Sequence, residues 1–341
     1  MSISYLHTPQ FLIDALDVMT CIEIPFHLLG FYCILFKTPD SMKSVKWIML
    51  NFLIWSVLLD LGVTVLTSPF LLFPTFSGYP LGVLKYIGVP TSVQTYGIVM
   101  VYAMLVTSIL TLFENRYYLM FARYNSWGKY RTWFLFGNYF LSSIFFIPAY
   151  ITIPEQSSGL QEVFKILPKL PTVIMEAPLF VLATDLRIVF LSVQSMALLL
   201  CTESVFFVVL LQRKLKMRAR KMSTSPYTLN LQKQFLRAIY IQVCTPFLIL
   251  VTPLTYTFFS VVFNYYNQAA NNFCSIFFSL HGLISTLTFL LIHKSYRKAC
   301  FEIFTFFISN QPTTSSIVVP SSSTRIPPSK VKTLFLFLIK K

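Results

Sequence analysis

Long apolar runs separated by short polar stretches dominate this chain, and their lengths set the first expectation. Seven runs, at 18–36, 47–70, 96–113, 133–153, 188–211, 238–263 and 273–292, are long enough to cross about 30 Å of hydrocarbon as helices. Four of them (96–113, 133–153, 238–263 and 273–292) hold no Asp, Glu, Lys or Arg, and the other three hold one carboxylate each, Glu23, Asp60 and Glu203. Helices are the expected form, because hydrocarbon offers backbone amides no partner outside their own segment. The shorter run 170–184 holds Glu176 and is broken by Pro171 and Pro178, so it reads as part of a structured outer loop. The pattern predicts an all-α membrane protein, a GPCR-like bundle of seven transmembrane helices over 18–293.

Charge gives the bundle its direction. With the N-terminus outside, every Lys and Arg except Lys85, Lys165, Lys169 and Arg187 falls on the cytosolic side. That sorting is the positive-inside pattern. It leaves residues 1–17 as an extracellular N-terminus without the basic n-region of a cleaved signal. A short amphipathic helix over 294–307 is expected in the inner interface, followed by a disordered Ser/Thr/Pro-rich cytoplasmic tail over 308–341.

Composition agrees: 55% of the 341 residues are hydrophobic and 11% charged. The net charge of +15 sits beside the apolar runs, where membrane orientation explains it, so nucleic acid is not an expected partner. The six cysteines show no CxxC pair and no metal-like spacing with the four histidines, so neither a metal site nor a cofactor is assigned. There is no HExxH, GxSxG or P-loop, and nothing points to an enzyme.

Five features could carry function. At the inner end of the third run, Glu114 and Arg116 are two residues apart and so point to different helix faces. An Arg at that boundary can simply snorkel, or it can bind a carboxylate or a partner's carbonyls. The basic third inner loop, RKLKMRARKM (213–222), suits a cytosolic partner or anionic membrane lipid. Pro246 and Pro253 in the sixth run favour kinks that would let its cytosolic end swing. The intramembrane polar residues Asp60, Glu203, Gln242 and His281, with Glu23 toward the outer part of the first run, are functional candidates because burying them is costly. Their plainer reading is hydrogen bonding between helices, and a transporter using Asp60 and Glu203 as coupling carboxylates is the alternative. Cys300, beside the last run, is a candidate for lipidation.

Several separated stretches also resemble one family. NFLIWSVLLDL (51–61), LFENRYY (112–118), ILPKLP (166–171) with PLFVLATD (178–185), LQKQFLRAIYIQ (231–242) followed by Pro246, and SLHGLISTLTFLLIHKSYR (279–297) resemble nematode chemosensory seven-helix receptors, most closely serpentine receptor class H. The resemblance implies a plasma-membrane receptor, in the cilium of sensory neurons, that binds a small-molecule ligand and activates a heterotrimeric G protein, alone or as a receptor dimer. It also implies that Glu114, Asn115 and Arg116 stand where related rhodopsin-like receptors carry an acidic-Arg switch. The acid is displaced by one position, and the outer disulfide usual in those relatives has no cysteines to form it.

Overall fold

A computed structural model describes residues 4–167, 170–220 and 226–309; some side chains between 226 and 250 and near 304–309 lie outside the description. The long helices are α1 (Pro9–Phe36), α2 (Lys43–Leu61), α3 (Thr91–Tyr117), α4 (Trp127–Ile144), α5 (Leu186–Arg220), α6 (Pro226–Val262), α7 (Gln268–Ile292) and α8 (Lys294–Ser309). Among the described residues, six helices are long and apolar enough to cross a membrane; α6 is the seventh long helix of the bundle.

The helices begin and end where their caps allow. Thr8 caps α1, accepting from the Phe11 amide, with Pro9 at the first helical position, where a missing N–H costs nothing. Asn267 caps α7 in the same way, accepting from the Ala270 amide. Between these ends the helices bury one stripe each and leave large apolar residues such as Leu28, Leu191, Leu198 and Phe258 on the outer face, as a lipid-facing surface requires.

The second run ends earlier as a helix than its hydropathy predicts. The α-helix stops at Leu61, a π turn follows over Gly62–Leu66, and Pro69–Leu71 is strand β1. The physical reason is that Pro69 lacks a helix donor and the apolar residues beyond it pack in an outer cap rather than in lipid. β1 pairs antiparallel with β2 (Phe76–Pro80), which pairs antiparallel with β3 (Phe180–Ala183) from the second outer loop. Gly78 sits at the centre of this sheet, where a side chain would strike the Phe70 carbonyl.

Two short helices, Gln156–Ile166 and Thr172–Met175, complete the cap. Its core is Leu12, Leu16, Phe70, Leu72, Tyr79, Val163, Ile174 and Val181, all buried. The Gln156 amide extends the sheet, donating to the Val181 carbonyl at 3.1 Å and accepting from the Val181 N–H at 2.8 Å.

The polar N-terminus of α7 holds the cap down. Gln268 donates to the Leu71 carbonyl at 3.1 Å, Asn271 to the Phe73 carbonyl at 3.1 Å, and Asn272 to the Leu6 carbonyl at 2.8 Å. These side chains bond backbone carbonyls of strand β1, of the turn after it and of the N-terminal Tyr5–His7 turn. All six cysteines are free, so paired strands and amide ties, not a disulfide, join the outer loops.

Toward the cytosol, α1, α2, α3, α7 and the start of α8 share a core that includes Ile34, Met49, Phe52, Leu112, Phe289 and Tyr296. Tyr296 and Ala299 are buried there, so the first turns of α8 pack on the bundle. The chain divides into a unit over Met1–Phe301 and a second over Glu302–Lys341, of which only residues to Ser309 are described. The tail predicted over 308–341 therefore lies almost wholly outside the described residues.

Candidate functional site

Two buried polar centres stand out, one within the bundle and one at the cytosolic end of α3. The first gathers Glu23 and His27 from α1, Asp60 from α2, and His281, Gly282 and Thr286 from α7. Glu23 and His27 are four residues apart and so share one face of α1. His281 Nδ1 lies 3.1 Å from Asp60 Oδ1, and His27 Nδ1 lies 3.0 Å from Thr286 Oγ1. His27 Nε2 approaches Asp60 Oδ2 to 3.0 Å without the alignment of a hydrogen bond. Gly282 is what lets Asp60 lie here, because a β-carbon at that position would overlap its carboxylate. Asp60 and Glu23 have no exposed surface.

The second centre surrounds Glu114, which is also fully buried. Arg131 of α4 reaches it twice, with Nη2 donating to Oε2 at 2.7 Å and Nε to Oε1 at 3.1 Å. Trp127 Nε1 donates to Oε1 at 2.8 Å, and Arg131 also donates to Asn115 Oδ1 at 3.2 Å. The guanidinium lies over the Tyr118 ring, 4.2 Å from its centre, and Gly128 packs close to that ring. Around this pair, Tyr117, Trp127, Phe134 and Phe207 pack ring against ring and exclude water.

Glu114 and Arg116 thus have different surroundings. The acid is bound to α4. Arg116 lies close enough to His293, just past the cytosolic end of α7, that its charge helps hold the imidazole neutral. His293 is pushed down to about 4, first by burial and second by Arg116. A further tie crosses the cytosolic side, where Arg218 of α5 donates to the Met120 carbonyl at 2.8 Å and lies over the Phe121 ring.

The remaining sequence candidates scatter. Glu203 of α5 lies beside Asn138 of α4, so Asp60 and Glu203 belong to separate polar groups. Pro253 is buried and its carbonyl accepts from Cys274 of α7, while the side chains of Gln242 and Pro246 lie outside the described residues. Helix α6 runs unbroken from Pro226 to Val262 through both prolines. Cys300 is half-buried with Cys33 of α1 beside its thiol, a contact that acylation would have to break.

Four residues escape a reading by spacing and composition. Arg131 looks like one more inner-loop charge, and only the fold shows it turning back to α3. His27 carried a signal, its i,i+4 relation to Glu23. Asn271 and Asn272 carried one too, as an amide-rich start to an apolar run.

Comparison with known proteins identifies this architecture. The family model described as "Serpentine type 7TM GPCR chemoreceptor Srh" matches residues 7–306. The chain belongs to this family of serpentine seven-helix chemoreceptors. A curated relative, serpentine receptor class H-72 of Caenorhabditis elegans, is 25% identical over 329 residues, covering 93% of this chain and 92% of that protein. The crystal structure of squid rhodopsin has the same fold, with a TM-score of 0.50 at 10% identity over 91% of each chain. This serpentine chemoreceptor is therefore a multi-pass membrane protein of the GPCR type and not an enzyme.

Proposed function

We propose that this chemoreceptor binds a small molecule in the outer half of its bundle, beneath the strand-built cap, and activates a cytosolic heterotrimeric G protein. A ligand that favours a conformer open on the cytosolic side shifts the population toward it, by as much as its affinities for the two states differ. The observation that carries this reading is the arrangement at the inner end of α3. Glu114 is anchored to α4 by Arg131, while Arg116, two residues on, lies near His293 at the end of α7. One helix end thus faces two neighbours through opposite charges, and separating the end of α7 from α3 would present Arg116 to a partner's carbonyls.

The basic 213–222 segment and the first turns of α8 supply a positive cytosolic surface for the G protein and for anionic lipid. The receptor works at the plasma membrane of a sensory neuron, including its cilium, alone or as a dimer. In lipid nanodiscs with purified G proteins, a panel of small odorants should include at least one that speeds nucleotide exchange. Arg116→Ala should cut that stimulation at least about tenfold while surface expression holds, given the usual range of coupling free energies. Full stimulated exchange from the variant would remove Arg116 from the switch.

A further inference from the structure

Glu23, His27 and Asp60 each turn a ligand atom toward the other two, and these atoms all lie within 4.8 Å of one another. Both oxygens of Glu23, Nε2 of His27 and Oδ2 of Asp60 are buried and make no hydrogen bond among the described residues, although Nε2 and Oδ2 approach each other to 3.0 Å. Unsatisfied polar atoms in an apolar interior are expensive, and three residues each bringing one to the same place call for a common partner.

The rest of the cluster is built to aim them. His27 Nδ1 is engaged by Thr286 Oγ1 at 3.0 Å, which fixes the ring and leaves the Nε2 lone pair toward the carboxylates. Asp60 Oδ1 is engaged by His281 Nδ1 at 3.1 Å, which leaves Oδ2 on the inner side. Gly282 gives Asp60 the room to be held there. Each of these two ligands thus has one atom anchored and one atom presented.

We propose that Glu23, His27 and Asp60 form an intramembrane zinc site joining α1 to α2, with Thr286 and His281 of α7 as positioning residues. One imidazole nitrogen with two carboxylate oxygens is a donor set that suits Zn²⁺, whereas hard cations such as Na⁺ or Mg²⁺ gain little from imidazole. A dication also neutralises two carboxylates in hydrocarbon, where either charge alone would be costly. Atoms bound to tetrahedral zinc at about 2.0 Å stand about 3.3 Å apart, so small rotamer shifts from the present spacing close the site. Three protein donors leave the fourth position to an exchangeable group. The proposal concerns metal alone and does not depend on G-protein activation.

The test uses the full-length receptor with its purification tag removed, loaded with zinc sulfate, passed over a mild chelator and analysed for bound metal. About one zinc per chain should remain, with His7→Gln unaffected. Thr286→Val keeps every ligand and the packing volume, and should weaken zinc binding about 10- to 100-fold. Glu23→Gln and His27→Gln should abolish retention. Cobalt substituted into the unmodified receptor should give the absorption of a tetrahedral nitrogen–oxygen site without thiolate charge transfer. Loss of all zinc from the unmodified chain, equal retention by Glu23→Gln, a thiolate band, or thermal stabilisation by sodium and not by zinc would each overturn the assignment.

Discussion

Glu114 and Asp60 are both carboxylates without exposed surface, yet the receptor treats them in opposite ways. Glu114 receives three donors from two residues of α4, one of them a guanidinium in two-pronged contact, and every oxygen is used. Asp60 shares its surroundings with a second carboxylate and two imidazoles, and several facing atoms remain unbonded. A saturated buried pair fixes geometry, and so Glu114 ties α3 to α4. An unsaturated one leaves buried polar atoms without a hydrogen-bond partner among the described residues. The two centres differ in how fully their hydrogen bonds are made.

The sharpest way to break this contrast is at Arg131. Arg131→Met strands a buried carboxylate and should cost about 3 kcal/mol, read as a fall in the thermal midpoint of the purified receptor. Adding Glu114→Met should restore most of it, because the loss comes from an unpaired charge and not from missing attraction. A double variant no more stable than the single one would mean that Glu114 matters for its shape.

Gly282→Ala attacks the other centre. The new methyl group must displace Asp60 from between the histidines, and overpacking of this kind costs about 2 kcal/mol. Unfolding by denaturant should show that loss, and the same change at Gly137, which has open space around it, should not. Equal losses at both glycines would show that overpacking against Asp60 is not the cause, since helix propensity favours alanine at either position.

A smaller effect is expected at the cap. Asn271→Ala removes the donor to the Phe73 carbonyl and the acceptor for Tyr256, which lies 2.8 Å away. A loss of about 1–2 kcal/mol should follow. Hydrogen exchange over 69–80 should rise while the α3–α4 junction stays protected; uniform change across the bundle would argue against an independently held cap.

The weakest effect is pH. His293 is held down to about 4 against an ordinary 6.5, so between those values the unfolded chain binds a proton that the folded one refuses. Its contribution is complete above 6.5 and falls away as pH drops toward 4, by about 1 kcal/mol at pH 5.5. His293→Gln should flatten that part of the stability–pH curve, and an unchanged slope would assign it to other groups.

What could be read without the fold follows from which forces are local. Seven apolar runs and sorted lysines and arginines are local signals, and they gave the bundle. Hydropathy does not separate an apolar strand under a cap from a helix in lipid, so the apolar run 47–70 extends four residues past the π turn that ends at Leu66. The sheet joins residues about a hundred positions apart through strands of three to five residues, too short for any periodicity to register. Arg131 was visible only as a charge, since positive-inside counting is blind to the direction a side chain takes. His27 was legible beside Glu23, but Asp60 and Thr286 became its neighbours only when α1, α2 and α7 packed together.

The sidedness of the bundle underlies every assignment made to its two ends, and labelling the termini tests it most directly. In intact cells, an impermeant antibody should reach an epitope placed before Met1, and should reach one placed after Lys341 only once the membrane is permeabilised. Both epitopes reached from the same side would contradict an odd number of crossings, and with it a Glu114–Arg131 pair facing a cytosolic G protein.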